Sequence, residues 1–254
     1  MPHGNKNNRV YKASILAVIM TAVMFANILE NPKISDQSAN EKGKMEKISN
    51  KTKTDGINNK KNKEKRMINK NDWKLVLVNG KHKIKKNYDI TVTPIGYTQA
   101  IDERCYDNLK NMINDCRNAG YNPVICSSYR SHEKQVLLFE NKIKDFIGQG
   151  YTRKEAKKKA GTVVAIPGTS EHEIGLAVDI VDVKYQLLEE NQEKTETQKW
   201  LMKNCWKYGF ILRYPKDKQE ITGVIYETWH YRFVGKENAK MIMKDNLCLE
   251  EYLE

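Results

Sequence analysis

Hydrophobic positions recur every three to four residues in several segments of the chain after residue 100. Between residues 102 and 118, apolar residues and cysteines follow this spacing, which predicts an amphipathic helix that Gly120 ends. Ser131 fits the N-cap of a second helix running to residue 148. The same pattern predicts further helices at 152–160, 195–208 and 236–245.

Short apolar runs bounded by turn residues predict strands between these helices. The expected strands are 73–78, 123–127, 177–183 and 210–213, with an extended stretch at 223–234. Asn79-Gly80 marks a turn after the first of them. Helices and strands alternate without βαβ regularity, which predicts an α+β fold with a small, mainly antiparallel sheet flanked by helices.

The N-terminal third has a different pattern. Residues 1–12 are polar and basic, and residues 13–29 form an apolar run interrupted only by Ser14, Thr21 and Asn27. Such a run spans about 25 Å as a helix, near the short limit for a membrane crossing. We expect an uncleaved single-pass anchor in the cell membrane, with residues 1–12 cytoplasmic and the rest extracellular. A cleaved signal and a secreted product are the alternative.

Residues 30–72 are rich in Lys and Asn and almost lack large apolar side chains, so we expect a disordered linker before a catalytic domain at 73–254. Residues 1–70 contain 15 Lys/Arg and 6 Asp/Glu, which accounts for +9 of the net charge of +12. The domain itself is therefore only mildly basic. Without clustered basic residues and a recognition motif there, nucleic acid is not an expected partner.

Five cysteines occur with no C-x-x-C spacing. Because this argues against a disulfide framework or a cysteine-rich zinc site, we interpret them as small core residues. A single bridge in an extracellular domain is the alternative.

Candidate metal ligands first appear in the decapeptide 170–179, Ser-Glu-His-Glu-Ile-Gly-Leu-Ala-Val-Asp. His172 and Asp179 are both of a type that binds Zn²⁺, and a catalytic zinc has three protein ligands and one open position. Gly175 and Ala177 lie between these two ligands in the sequence, and their small size avoids crowding an ion. The third ligand should be a histidine from elsewhere, and the candidates are His3, His82, His132 and His230.

His230 follows Glu227 by three residues, so that the carboxylate could accept a proton from water while the histidine holds a metal. Side chains three apart on a regular strand point to opposite faces, so this segment must twist, bulge or end there. An exposed acid beside an aromatic-packed histidine is the alternative. Arg130 precedes a helix start, where it would either bind a substrate carboxylate or oxyanion or pair with an acid at the surface.

Together these segments resemble the VanY-type zinc D-alanyl-D-alanine carboxypeptidases, which share a hedgehog-like fold with the D-Ala-D-Ala dipeptidases. The resemblance covers residues 73–254. It rests on Ser128-Tyr129-Arg130-Ser131 with Gln135, on Pro167 to His172 continuing through Gly175, Ala177 and Asp179, on Tyr208 to Pro215, and on Tyr226 to Gly235.

The resemblance implies a role for each matching residue. One zinc ion would be bound by His172, Asp179 and His230, and Glu227 would be the base that activates water and then protonates the leaving amine. Arg130 would hold the substrate carbonyl or oxyanion, and Ser170 and Gln135 would contact the substrate. Thr228 stands where the family usually has proline, and we expect a modest effect on activity from this difference.

The implied function is removal of the C-terminal D-alanine from peptidoglycan stem peptides by a zinc-dependent D-alanyl-D-alanine carboxypeptidase. Separately from the resemblance, we expect a monomer. Two alternatives stay open. One is an L,D-carboxypeptidase acting on tetrapeptide stems, and the other is a non-catalytic wall-binding module with a structural zinc.

Overall fold

Six strands and seven α-helices occur in the part of the chain that a computed structural model describes, Asn69 and residues 72–254. The strands are β1 (Val92–Pro94), β2 (Ala100–Asp102), β3 (Pro123–Ser127), β4 (Ala177–Asp182), β5 (Phe210–Tyr214) and β6 (Glu227–Phe233). The helices are α1 (Tyr106–Asn118), α2 (His132–Gly148), α3 (Arg153–Ala160), α4 (Glu196–Asn204), α5 (Gln219–Thr222), α6 (Lys236–Asp245) and α7 (Leu249–Leu253).

The main sheet has four strands in the order β3-β4-β6-β5, and each neighbouring pair is antiparallel. β1 and β2 form a separate two-stranded antiparallel sheet. Helices flank the main sheet, so the predicted α+β class with a small antiparallel sheet is confirmed. Helices at 106–118, 132–148, 153–160 and 236–245 also lie where the apolar spacing predicted them.

Local capping explains several of these boundaries. The Ser131 side chain accepts a hydrogen bond from the Lys134 backbone N–H, as expected of an N-cap. Thr152 and Glu155 form a capping box at the start of α3. The predicted helix 195–208 is divided, because α4 ends at Asn204 and a 3₁₀ turn, Cys205–Tyr208, follows it.

The strand predicted at residues 73–78 is wrong. Trp73–Leu75 is a 3₁₀ helix whose N-cap, Asp72, accepts a hydrogen bond from the Lys74 backbone N–H. The apolar residues of this segment enter two different clusters, since Leu75 packs with α6 and α7 and Val78 packs in the main core. The Asn79-Gly80 turn is present, closed by a bridge between Asn79 and His82.

Three apolar clusters stabilise the described residues. The largest lies between α1 and the main sheet, and it includes Cys105, Cys116 and Cys205. A second joins α6 and α7 to Ile211 of β5, and a third lies in the α2–α3 hairpin. All five cysteines are free, and four of them are buried, as expected of core residues.

The described residues belong to one compact unit, Met67–Glu254. Within them, no helix combines the length and the apolar character needed to cross a bilayer. The predicted anchor at 13–29 and nearly all of the predicted linker lie outside the described part, so both stay predictions.

Candidate active site

Asp179 and His230 lie opposite each other on neighbouring strands at the centre of the main sheet. They are paired Cα partners in the antiparallel register of β4 and β6. Their side chains approach closely, with Asp179 Oδ1 3.1 Å from His230 Nδ1. Because paired residues on antiparallel strands point to the same face, the sheet itself brings a carboxylate and an imidazole together.

His172 reaches the same place from a short 3₁₀ helix, Glu171–Ile174, that precedes β4. Its Nε2 lies 3.3 Å from Asp179 Oδ2, and its ring is perpendicular to that of His230 at 5.0 Å between centroids. The ligand atoms of His172, Asp179 and His230 all lie within 4.8 Å of one another, and all three residues are buried. The structure thus brings together the three residues predicted to bind the metal.

In each histidine, the ring nitrogen that faces away from Asp179 is held by a hydrogen bond. His172 Nδ1 donates to the Ser128 carbonyl oxygen at 2.8 Å, and His230 Nε2 donates to Glu171 Oε2 at 3.3 Å. The opposite nitrogens, Nε2 of His172 and Nδ1 of His230, therefore face Asp179. Partners of this kind fix the tautomer and the ring orientation of metal-binding histidines.

Glu227 lies beside these ligands because β6 contains a bulge. Leu212 of β5 pairs with Tyr231, whereas Tyr214 pairs with Glu227, so two positions along β5 correspond to four along β6. The extra residues rotate the strand and bring Glu227 Oε2 to 3.7 Å from His230 Nδ1. The irregularity that the Glu-x-x-His spacing required is therefore present.

Burial and neighbouring charges give the carboxyl groups of the site opposite protonation behaviour. Burial raises the pKa of Glu227 to about 7. Asp179 is also buried, but the nearby His172 and hydrogen bonds from His172 and His230 outweigh burial and hold its pKa well below the usual range. Asp179 is thus a permanent anion suited to binding a cation, and Glu227 can exchange a proton near neutral pH.

The two histidines also differ. Burial, reinforced by the positive charge of Arg130, lowers the pKa of His172 to about 4. Burial acts in the same direction on His230, but its hydrogen bonds to Asp179 and Glu171 outweigh burial and raise the pKa to about 9.

Arg130 borders the cluster and is held in a fixed position. Its Nη2 lies 3.1 Å from Asp179 Oδ2, and Ser127 Oγ accepts from both Nε and Nη2 at 2.9 and 2.7 Å. A bulge in β3 between Ile125 and Ser127 directs this segment toward β4. The Arg130 side chain keeps 19% of its surface exposed, so it is not sealed from solvent.

Gln135 and Ser170 remain predictions as substrate contacts. Gln135 is fully buried, with its Oε1 accepting from Arg130 at 3.3 Å and its Nε2 donating to the Ala165 carbonyl oxygen at 2.7 Å. Placed in this way, Gln135 orients Arg130. Ser170 is buried directly before the 3₁₀ helix that carries His172.

The other histidine candidates do not join the cluster. His82 Nδ1 contacts Asn79, and His132 Nδ1 contacts Glu173 at 2.7 Å with the ring mostly exposed. His3 lies outside the described residues.

Glu171 is the residue that sequence reasoning missed. It is completely buried and contacts His230 and two arginines, Arg213 and Arg232. The available signal was the position of each arginine inside an apolar strand segment, since a buried guanidinium requires a nearby anion.

Two imidazoles, a carboxylate and a neighbouring buried glutamic acid are typical of mononuclear metallohydrolases. The model of the VanY family, D-alanyl-D-alanine carboxypeptidase, matches residues 98–236. The chain belongs to this family. The expected enzyme class, a zinc-dependent D-alanyl-D-alanine carboxypeptidase, is confirmed at the level of the family.

A D-alanyl-D-alanine carboxypeptidase of Enterococcus faecalis is 42% identical over 182 residues, covering 72% of this chain and 66% of the relative. The chain thus spans about two thirds of that relative's length. A mutant of the vancomycin resistance D,D-pentapeptidase VanY from a VanB-type cassette, solved in complex with Zn(II), is also 42% identical, with a TM-score of 0.66 over 72% of this chain and 100% of that one.

A second similar structure is the LdcB LD-carboxypeptidase. It is 37% identical to this chain, with a TM-score of 0.60, and the match covers 70% of this chain and 84% of LdcB.

Proposed function

We propose that the chain is a zinc carboxypeptidase that removes the C-terminal D-alanine from peptidoglycan stem peptides. The observation that carries this proposal is the position of Glu227, whose carboxyl group lies 3.7 Å from His230 Nδ1 at the edge of a buried cluster of three potential metal ligands. A general base must lie within reach of the water that it deprotonates, and this geometry meets that requirement.

The residues present fit zinc. Two imidazole nitrogens and one carboxylate form a donor set that leaves a coordination position open, and a bound metal would displace the extra proton that His230 carries near neutral pH. The same donor set also suits Fe(II), and the similar structure solved with Zn(II) favours zinc. When bound, zinc supplies a Lewis acid that polarises a carbonyl group and makes water more acidic.

Glu227 carries out the proton transfers in this proposal. Its carboxylate accepts a proton from the attacking water and then gives that proton to the amine of the departing D-alanine. A pKa raised to about 7 by burial suits both steps, because neither the charged nor the neutral form is strongly favoured near neutral pH.

Arg130 binds the negative charge of the substrate in this proposal. Ser127, Gln135 and Asp179 fix the guanidinium, and the exposed part of the Arg130 side chain lets it approach a carboxylate or the oxyanion that forms during attack. Ser170, which precedes the helix bearing His172, is proposed to help position the terminal residue.

An L,D-carboxypeptidase acting on tetrapeptide stems is the second candidate. It is favoured by one observation, the 37% identity to the LdcB LD-carboxypeptidase. The higher identity and TM-score of the match to the D,D-pentapeptidase favour D,D cleavage. A wall-binding module with a structural zinc fits less well, because structural sites usually have a fourth protein ligand and the described cluster has three.

We also propose that the enzyme is a monomer attached to the cell membrane by residues 13–29, with its catalytic domain outside. The support is the apolar run with its basic flank and the presence of peptidoglycan outside the membrane.

Digestion of purified muropeptides tests the bond specificity. The purified protein is incubated separately with pentapeptide and tetrapeptide muropeptides, and the products are weighed by mass spectrometry. We expect loss of one alanine from the pentapeptide. Loss of alanine from the tetrapeptide alone would assign the enzyme to the L,D class.

A further inference from the structure

A buried charge network lies behind the metal cluster, on the side of His230 that faces away from Asp179. Its centre is the carboxyl group of Glu171, which has no exposed surface. Arg213 and Arg232 beside it are also fully buried. Charges that lie this deep are costly unless each one is paired, and here every one of them is.

Glu171 uses its two oxygens for different purposes. Oε1 accepts from Arg213 Nε at 2.7 Å and from Arg232 Nη1 at 2.8 Å. Oε2 lies 3.3 Å from His230 Nε2. The two arginines therefore lock the carboxylate in place, and the locked carboxylate contacts the histidine.

The network continues to the C-terminal helix. Arg213 donates to both oxygens of Glu250 in α7, from Nη1 to Oε2 at 2.8 Å and from Nη2 to Oε1 at 2.7 Å. Asn79 Nδ2 also donates to Glu250 Oε1 at 3.0 Å. The two-point contact between the planar groups of Arg213 and Glu250 fixes the direction of the guanidinium and not only its distance.

Arg232 is fixed by backbone atoms. Its Nη2 donates to the carbonyl oxygens of Lys74 and Val76 at 3.1 and 2.8 Å, and its Nε donates to the Phe233 carbonyl oxygen at 3.0 Å. Both guanidinium groups that hold Glu171 are thus constrained by other parts of the domain.

An imidazole ring is rigid, so fixing Nε2 also fixes the direction of Nδ1. In His230, Nδ1 is the nitrogen that faces Asp179 Oδ1 at 3.1 Å. His172 obtains the same restraint from a backbone carbonyl, Ser128 O. For stability alone, apolar side chains of similar volume would serve as well as this buried network.

We propose that Glu171 is a positioning residue for the metal ligand His230, and that Glu250 of the C-terminal helix acts on the same carboxylate through Arg213. The inference rests on the proposed function, which assigns His230 as a ligand. It makes α7, whose sequence carries no catalytic motif, part of the machinery that shapes the metal site.

The affinity for zinc tests this proposal without reference to catalysis. Zn(II) dissociation constants are measured by competition with a chelating dye, at one neutral pH, for the wild-type protein and for Glu171→Gln, Glu250→Gln and Glu251→Gln. Glu251 is the matched control, because it is the next residue in α7 and pairs with Lys218 at 2.9 Å, away from the network. Unfolding of each protein by urea in the presence of a chelator separates stability from binding.

We expect Glu171→Gln to raise the zinc dissociation constant by about 10- to 100-fold. Glu250→Gln acts at one remove, so we expect an increase of about two- to tenfold. Glu251→Gln should stay within about twofold of the wild type, because its contact with Lys218 lies outside the network and a Gln side chain can still accept the Cys248 N–H that caps α7. The Co(II) absorption spectrum should change in Glu171→Gln, since the direction of one ligand is no longer fixed.

A Glu171→Gln protein that folds and binds zinc as tightly as the wild type would overturn the proposal and leave the network a purely structural role. If Glu171→Gln does not fold, Glu250→Gln decides the question. A zinc affinity of Glu250→Gln equal to that of Glu251→Gln would likewise refute the link between the network and the metal site. Failure of the wild-type protein to bind zinc would instead refute the proposed function.

Discussion

At the scale of single residues, the site is defined by what lies behind each ligand as much as by the ligands themselves. His172 and His230 were predictable, because histidines are few and the motifs around them have a characteristic spacing. The role of Glu171 was not, since it depends on Arg213 and Arg232, which lie 42 and 61 residues further along the chain. No local pattern records contacts at such separations.

Thr228 shows the cost of a local departure from the family pattern. Its Oγ1 is buried and has no hydrogen-bond partner within the described residues. A buried hydroxyl without a partner is destabilising, so we expect Thr228→Val to raise the free energy of unfolding by about 1 kcal/mol. Chemical denaturation in urea measures this change.

Thr222 is the matched control for this substitution. It is also buried, but its Oγ1 donates to the Val224 carbonyl oxygen and accepts from the Val224 N–H. Thr222→Val should therefore lower the free energy of unfolding by about 1 kcal/mol. Equal effects of the two substitutions would show that the Thr228 hydroxyl is satisfied, for instance by water.

Among the secondary-structure elements, the sequence correctly predicted those whose ends are marked by characteristic residues. Helices with a side-chain N-cap and strands bounded by Gly or Pro were found at nearly their observed positions. The pattern failed where tertiary packing decides, as at Trp73–Leu75, whose apolar residues serve two clusters. The strands β1 and β2 and the helix α7 are three to five residues long and too short to produce a periodic signal.

The entry into β4 depends on Gly175. Its φ is +66°, and a Cβ there would lie 2.5 Å from Ile90 Cδ1 and 3.1 Å from the Asp102 backbone nitrogen. We expect Gly175→Ala to lower the free energy of unfolding by about 2–4 kcal/mol, from backbone strain and crowding together. Thermal unfolding of the wild type and of Gly175→Ala, measured in parallel, checks this difference in stability.

Gly223 provides the comparison that separates backbone strain from crowding. Its φ is +74°, but a Cβ there would meet nothing within 4 Å. Gly223→Ala should cost only about 1 kcal/mol, the value for backbone strain alone. If both substitutions lower the free energy of unfolding by the same amount, crowding at Ile90 and Asp102 contributes nothing to the effect of Gly175→Ala.

At the scale of the whole molecule, the buried charges join elements that are distant in sequence. Arg213 of β5 connects Glu171, beside the ligands, with Glu250 in the C-terminal helix. The metal site and the last helix of the chain should therefore respond together to mutation and to acid.

The stability of the protein should depend on pH through Glu250. Burial acts to raise its pKa, but its hydrogen bond and ion pair with Arg213 outweigh burial and lower it. A carboxyl group with a lowered pKa stabilises the fold fully above its unfolded pKa of about 4.3, and this contribution is lost as the pH falls through the folded pKa. We expect Glu250→Gln to lower the free energy of unfolding by about 3 kcal/mol at neutral pH.

This difference from the wild type should begin to shrink as the pH falls below about 4.3, and it should be lost below the folded pKa, where both proteins carry a neutral group at this position. Urea unfolding at a series of pH values, in the presence of a chelator, measures it. A difference that stays constant down to strongly acidic pH would show that the charge of Glu250 does not contribute.

The proposed mechanism requires that Glu227 activates water beside a zinc ion held by His172, Asp179 and His230. Its most direct test compares D-alanine release from a pentapeptide by the wild-type protein and by Glu227→Gln, together with the zinc content of both. We expect turnover to fall by about 10³-fold or more, because the base is lost, while the zinc content stays the same. Release of D-alanine by Glu227→Gln at the wild-type rate would contradict the claim.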